Sequence, residues 1–237
     1  MRGWWREIAE LLLPADCAGC GQPRTALCRR CRGLLAGGCP RRVRPGPAPA
    51  GLPSVHAAAP YAGEVREVLL AHKERGALGL VGPLGEALAR AVRACTEPEF
   101  GPFLLTPVPS ARRAVAARGH DPTRRVALAA AARLRATGHP ARVIALLRQR
   151  RTVADQSTLG PRERLANLSG ALGVADRAAR SARDLPVVLV DDVLTTGASL
   201  AEAARAVTAA GREVAGAAVV AAPPAVFHAG VRRLQEL

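Results

Sequence analysis

Val187-Val188-Leu189-Val190-Asp191-Asp192-Val193-Leu194-Thr195-Thr196-Gly197-Ala198-Ser199 is the stretch from which the rest of the chain is best read. Four aliphatic residues in a row after Pro186 predict a strand buried on both faces. Two aspartates mark where that strand ends. Thr195, Thr196, Gly197 and Ser199 then crowd a tight loop, and a helical pattern begins near Leu200. A parallel strand, a polar loop and a helix start together predict a ligand crevice at the carboxyl edge of a sheet.

The chemistry follows from that layout. A helix N-terminus has free backbone N–H groups and the positive end of a dipole, so it attracts phosphate. Gly197 lets a ligand approach the backbone closely, and Thr195, Thr196 and Ser199 add hydroxyl donors. Asp191 and Asp192 would repel the same phosphate; they suit sugar hydroxyls or a metal ion. A ribose 5-phosphate satisfies both halves. The competing reading is a helix start with ordinary Thr/Ser capping, but two adjacent acids exceed what capping needs.

The chain has 237 residues, enough for one α/β domain with a small appendage. Its formal charge is +15, and Lys73 is its one lysine among 34 basic residues. Such a charge fits a polyanion partner, although the Ala, Arg, Gly and Pro bias also fits a GC-rich genome. No apolar run approaches the ~20 residues that span a bilayer. Trp4, Trp5, Ile8, Leu11 and Leu12 predict an amphipathic N-terminal helix that packs on the body; its acids argue against a signal peptide. The expected location is cytoplasmic.

Cys17-x-x-Cys20 and Cys28-x-x-Cys31 are separated by seven residues. Gly19 and Gly21 permit the knuckle turns, and four thiolates from two such turns predict a closed, structural Zn²⁺ site. Free or disulfide-bonded pairs are the alternative, and a reducing cytosol disfavours disulfides. Residues 37–60, rich in Pro, Gly and Ala, read as a linker or irregular arm. The organisation expected is residues 1–50 as N-terminal helix, zinc module and linker, and residues 51–237 as the main domain.

Beyond the linker, a helix with Val65, Val68 and Leu69 on one face runs to Lys73, with Gly76 as its C-cap. A second helix carries Leu84, Leu88, Ala91 and Val92. Phe103-Leu104-Leu105 predicts a buried strand that Pro107 and Pro109 stop. An Ala-rich helix over 122–137 follows, then a strand over 142–147. Residues 107–153 hold eleven arginines and one acid, Asp121. The polar stretch 148–170 predicts a functional loop whose arginines meet a pyrophosphate in a lid-like closure, or else a solvated loop. Val214–Ala222 reads as the last strand, followed by a helix around 227–237. Lys73 suits a phosphate as a compact point charge.

The glycine loop with its twin acids resembles the 5-phosphoribosyl-1-diphosphate (PRPP) binding motif of type I phosphoribosyltransferases. With the paired CxxC turns, Leu70-Ala71-His72-Lys73, Pro107-Val108-Pro109, Arg118-Gly119, Arg151-Thr152…Gln156 and Arg162…Asn167, the whole order resembles the ComF (competence protein F) family. Where that family often has RGFNQ, this chain reads Arg118-Gly119-His120-Asp121-Pro122; only Cys39 stands where a further CxxC often lies.

The resemblance implies a type I phosphoribosyltransferase-like α/β fold, a mostly parallel sheet flanked by helices, with the small zinc module at its N-terminus. It implies that Asp191 and Asp192 meet the ribose hydroxyls and residues 195–199, Ala198 included, cradle the 5-phosphate, with Mg²⁺ on the ligand oxygens. Lys73 and Arg118 are the candidates for pyrophosphate. Two functions are then in view: Mg²⁺-dependent transfer of ribose 5-phosphate to an acceptor, or a non-catalytic PRPP-regulated module of DNA uptake that binds single-stranded DNA. The scarcity of aromatic residues argues against base stacking in the second.

Overall fold

A computed structural model describes residues 16–96, 101–110, 112–151, 167–175 and 185–232. The predicted N-terminal amphipathic helix and most of the polar stretch, residues 152–166, lie outside the described residues.

The long apolar runs become the centre of a six-stranded sheet. In chain order its strands are β1 (Arg41–Val43), β2 (Val55–Pro60), β3 (Phe103–Pro107), β4 (Ala141–Val143), β7 (Val187–Val193) and β8 (Val214–Ala222). In space they lie β1-β2-β8-β7-β3-β4. Only β1 is antiparallel, pairing Arg41 with Ala57; the other neighbours are parallel. The expected architecture is therefore present: a mostly parallel sheet flanked by helices, with a cysteine cluster at the N-terminal end.

Alternation along β7 divides the core in two. Val188 and Val190 face one layer with Leu105, Val220, Leu84 and Leu88. Val187 and Leu189 face the other with Leu104, Val219, Leu200 and Val207. On the first side lie α1 (Arg29–Ala36), α2 (Gly63–Glu74), α3 (Val81–Cys95) and α5 (Pro122–Ala136), with the short α4 (Arg112–Arg118) before α5. On the second lie α6 (Ala198–Ala209), α7 (Pro224–Arg232) and a small hairpin of β5 (Leu147–Gln149) and β6 (Leu172–Val174). Gly76, at φ +67°, follows the last turn of α2 as expected of a C-cap glycine.

Two sequence expectations need correction. The run 142–147 is not one strand. Val143 ends β4 beside Leu105, the Ile144 N–H bonds to the Leu105 carbonyl, and the chain then leaves for the hairpin at Leu147. Residues 37–60 are not a linker throughout. They hold edge strand β1 and β2, whose Ala57, Ala58 and Ala59 are buried between the two layers.

The Ala-rich α5 has a specific purpose in packing. A Cβ added at Gly85 on α3 would lie 2.5 Å from the Ala129 methyl and 3.0 Å from backbone of Ala129 and Ala130. The two helices approach too closely for any side chain there. Gly85→Val gives up most of the helix-propensity gain of an alanine and forces backbone apart. We expect a loss of roughly 1–3 kcal/mol, read as a lower midpoint in thermal unfolding. An unchanged midpoint would show that the helices part freely.

Candidate active site and metal centre

The described site sits at the carboxyl edge of the central strands. Asp191 and Asp192 occupy the end of β7, and their backbones are held by local bonds: the Asp192 N–H donates to Asp191 Oδ1 and the Val193 N–H to Asp192 Oδ1, each at 2.8 Å. The loop turns at Gly197, whose φ is +79°. A Cβ there would also fall 3.1 Å from both Leu52 methyls, so the left-handed backbone and the packing behind it each call for glycine. Leu52 comes from the stretch between β1 and β2, which thus backs the loop.

Across the cleft, the last turn of α2 presents Lys73. Its ammonium donates to Asp192 Oδ2 at 2.6 Å, joining positions 119 residues apart in the chain. A cavity of about 470 Å³ lies between these groups, lined by Lys73, Arg118, Asp191, Asp192, Thr195 and Ser199. Tyr61, Ser110, Arg113, Gln149 and Leu172 are among the other residues of its walls. Thr196, Gly197 and Ala198 form the turn behind the rim; Thr196 Oγ1 accepts the Ala198 N–H at 3.4 Å. The residues singled out from sequence therefore converge on one place, with Thr196 shaping the loop from half-buried ground and Thr195 exposed toward the cavity.

The electrostatics split the two acids. Recession from water and the Asp192 charge push Asp191 well above the ordinary carboxylate range. Recession works against Asp192 as well, but Lys73 outweighs it and holds that carboxyl low. Lys73 loses hydration too, and Asp192 and Asp191 more than offset this, so its pKa lies above the usual lysine value. Both carboxylates border the cavity, and carboxylate oxygens are the donors that a hard cation or sugar hydroxyls take. The residues present fit a Mg²⁺-bound ligand on that ground.

Arg118 reaches the same cavity from the end of α4. It makes a forked pair with Glu74, Nε to Oε2 at 3.0 Å and Nη2 to Oε1 at 2.8 Å. Glu74 thus orients the guanidinium, a role that nothing in the sequence marked out. His72 and His120 lie close by, ring centroids 6.0 Å apart, and His72 Nε2 faces the Pro122 carbonyl at 3.4 Å.

Residues 127–226 match the phosphoribosyl transferase domain. The match runs from within α5 to α7 and includes both aspartates and the whole glycine loop. Lys73, Arg118 and the cysteines lie before it. Comparison with curated proteins yields no match. The matched segment therefore supplies the cavity residues of β7, the glycine loop and the β5–β6 pair, and the segments before it supply those of α2, α4 and the exit of β3.

At the N-terminal end, Cys17, Cys20, Cys28 and Cys31 bring their sulfurs within 4.8 Å of one another, so the four can hold a metal ion. Gly21, at φ +73°, makes one turn, and Gly19 leaves room where a Cβ would meet Cys31 Sγ at 2.8 Å. Burial resists ionisation of Cys17, but backbone groups of Cys28, Cys20 and Gly19 outweigh it and lower its pKa to about 6. Burial and the neighbouring sulfurs push Cys31 far up. Four crowded thiols cannot all ionise without a cation, and a tetrahedral divalent metal removes that conflict. Cys39 is exposed and apart from the four. No helix of the described residues is long and apolar enough to cross a membrane.

Proposed function

We propose that the cavity binds Mg²⁺·PRPP and that the protein transfers its ribose 5-phosphate group to an acceptor, releasing pyrophosphate. The reading is carried by one observation: twin acids at the end of β7 and the N-terminus of α6 share a cavity with Lys73 and Arg118. The loop from Thr195 to Ser199 holds the 5-phosphate, including the backbone at Thr196, Gly197 and Ala198. Asp191 and Asp192 hold the ribose hydroxyls, and Mg²⁺ screens the charge of the leaving group when bound. Lys73 gives up Asp192 and, with Arg118, meets the pyrophosphate oxygens.

The bond from the anomeric carbon to pyrophosphate oxygen breaks, carrying its electron pair to the leaving group. A bond from that carbon to the acceptor nucleophile forms, and the nucleophile's proton leaves to solvent. The four-cysteine cluster is proposed to hold Zn²⁺ as a structural ion, because a closed thiolate set leaves no open coordination position.

Calorimetric titration with Mg²⁺·PRPP tests the site directly. Ser199→Ala removes a hydroxyl from the cavity rim and is expected to weaken binding about tenfold, the size of one hydrogen bond to a charged group. A wild-type protein that gives no binding heat or competition by ribose 5-phosphate sinks the reading. Screening amines and nucleobases for pyrophosphate release then separates a transferase from the ComF-like alternative, a PRPP-regulated module that contacts single-stranded DNA. The charge of +15 favours that alternative's polyanion contact; its mark would be steeply salt-dependent DNA binding with no pyrophosphate released.

A further inference from the structure

The β5–β6 hairpin stands outside the main sheet, yet it supplies Gln149 and Leu172 to the cavity, with Leu168 just before it. What holds it there is α6, the helix that starts at the glycine loop. Leu168 and Ala171 pack on Ala198, the first residue of that helix, as a small separate apolar cluster. One turn on, Glu202 is only 5% exposed. A carboxylate so placed must be fully bonded to be tolerated.

Its partners are on the hairpin and on its own helix. Glu202 Oε1 accepts the Leu172 N–H at 2.9 Å. Arg205 donates Nε to Oε2 at 2.7 Å and Nη2 to Oε1 at 2.8 Å. The same Nη2 donates to the Leu172 carbonyl at 3.1 Å. Leu172 faces Gln149 across the hairpin, and both of its backbone groups are met by side chains from α6. Two side chains thus take the place of a third strand on the outer edge of β6. Burial works to raise the Glu202 carboxyl, but Arg205 and the backbone of Leu172 and Gly170 outweigh it and hold it below the ordinary value. The sequence signal here misleads: Ser199-x-x-Glu202 has the spacing of a capping box, whereas the helix N-cap is Gly197.

We propose that Glu202 and Arg205 are positioning residues that lock the β5–β6 hairpin onto the phosphate-loop helix, coupling occupancy of the loop to closure of the hairpin side of the cavity. The inference rests on the PRPP reading for its ligand, and on the contacts alone for the lock. Ala198 and Glu202 lie one turn apart on one rigid helix, so ordering its first turn also orders the surface on which the hairpin sits. By linkage, holding the hairpin down strengthens phosphate binding by the same factor.

Amide hydrogen exchange on the full chain, with ribose 5-phosphate as probe, tests both parts. Without ligand, Glu202→Ala is expected to speed exchange at Leu172 and Val174 at least tenfold while β7 and β8 keep their protection. Glu202→Gln, which keeps an acceptor for the Leu172 N–H but loses the charge facing Arg205, falls between. Ribose 5-phosphate slows Leu172 exchange in the wild type and not in Glu202→Ala. Unchanged exchange at Leu172 overturns the lock, as does equal loss of protection through β7 and β8, which marks a general stabiliser instead. If Glu202→Ala does not fold, Arg205→Met, altered at a side chain 49% exposed, serves for the same comparison. Binding of ribose 5-phosphate without slower exchange at Leu172 overturns the coupling alone. Failure of ribose 5-phosphate to bind the wild type overturns the ligand reading and the coupling with it, while the unliganded comparison still decides the lock.

Discussion

Asp192→Asn is expected to weaken Mg²⁺·PRPP binding by more than about a hundredfold, the loss of charge-assisted bonds together with a cation partner. Asparagine keeps the shape of the side chain and can still accept the Val193 N–H that Asp192 Oδ1 accepts now. What it removes is the charge facing Lys73 and the ligand. Calorimetry at constant Mg²⁺ reads the change, and an affinity equal to wild type would take the acid pair out of the site.

The same variant carries a stability signature whose sign is set by the titration of the pair. Asp192 is held below the ordinary carboxylate range in the folded protein. Its contribution is therefore present above the unfolded carboxyl's range and is lost as pH falls through the folded value. Lys73 is held above its usual value, so its part is present below the ordinary lysine range and lost as pH rises through the raised value. The pair is intact across neutral pH. The difference in unfolding midpoint between wild type and Asp192→Asn should thus be visible at neutral pH and vanish in acid, where the wild-type carboxyl is itself neutral. Because the Lys73 side chain is 36% exposed, solvent screening keeps that difference small. A gap that grows in acid would contradict the pairing.

Cys28→Ser is expected to take the zinc content from one ion per chain to nearly none and to lower the unfolding midpoint by about 5–15 °C, the shift of a few kcal/mol in a chain of this size. Cys28 is also the N-cap of α1, its sulfur accepting the Cys31 N–H. Serine is among the best N-caps, so the helix start survives and the loss reports on the metal. The effect should extend beyond the module, because Cys17, Cys28, Cys31 and Leu35 belong to the same core layer as Leu69 and Leu88. Metal analysis and a melting curve decide it: full metal content, or an unchanged midpoint in a zinc-free protein, ends the structural-zinc assignment.

Where reading the chain succeeded, short-range physics was enough. Val187–Val190 and Val214–Ala222 are apolar runs rich in valine and bounded by breakers, as a strand covered on both faces requires, and both are strands buried in the sheet. The cysteine spacing and knuckle glycines needed only local turn geometry to bring four sulfurs together. Where it failed, the deciding term was a distant partner. Ala57-Ala58-Ala59 has no strand preference of its own; it is a strand because β8 lies beside it, with Ala57 opposite Val219. The apolar run 142–147 has nothing within it to mark the point at which it passes from β3 to the hairpin.

By itself, the sequence determined the apolar strand runs, the glycine turn after the twin acids and the thiol cluster, since each depends on residues within about a dozen positions of one another. Only the tertiary structure decided that Lys73 faces Asp192, that Glu74 aims Arg118, and that Glu202 holds the hairpin. Those pairs are formed by long-range packing of α2, α4 and α6 on one sheet, and charge complementarity between remote positions leaves no periodic trace in a single chain.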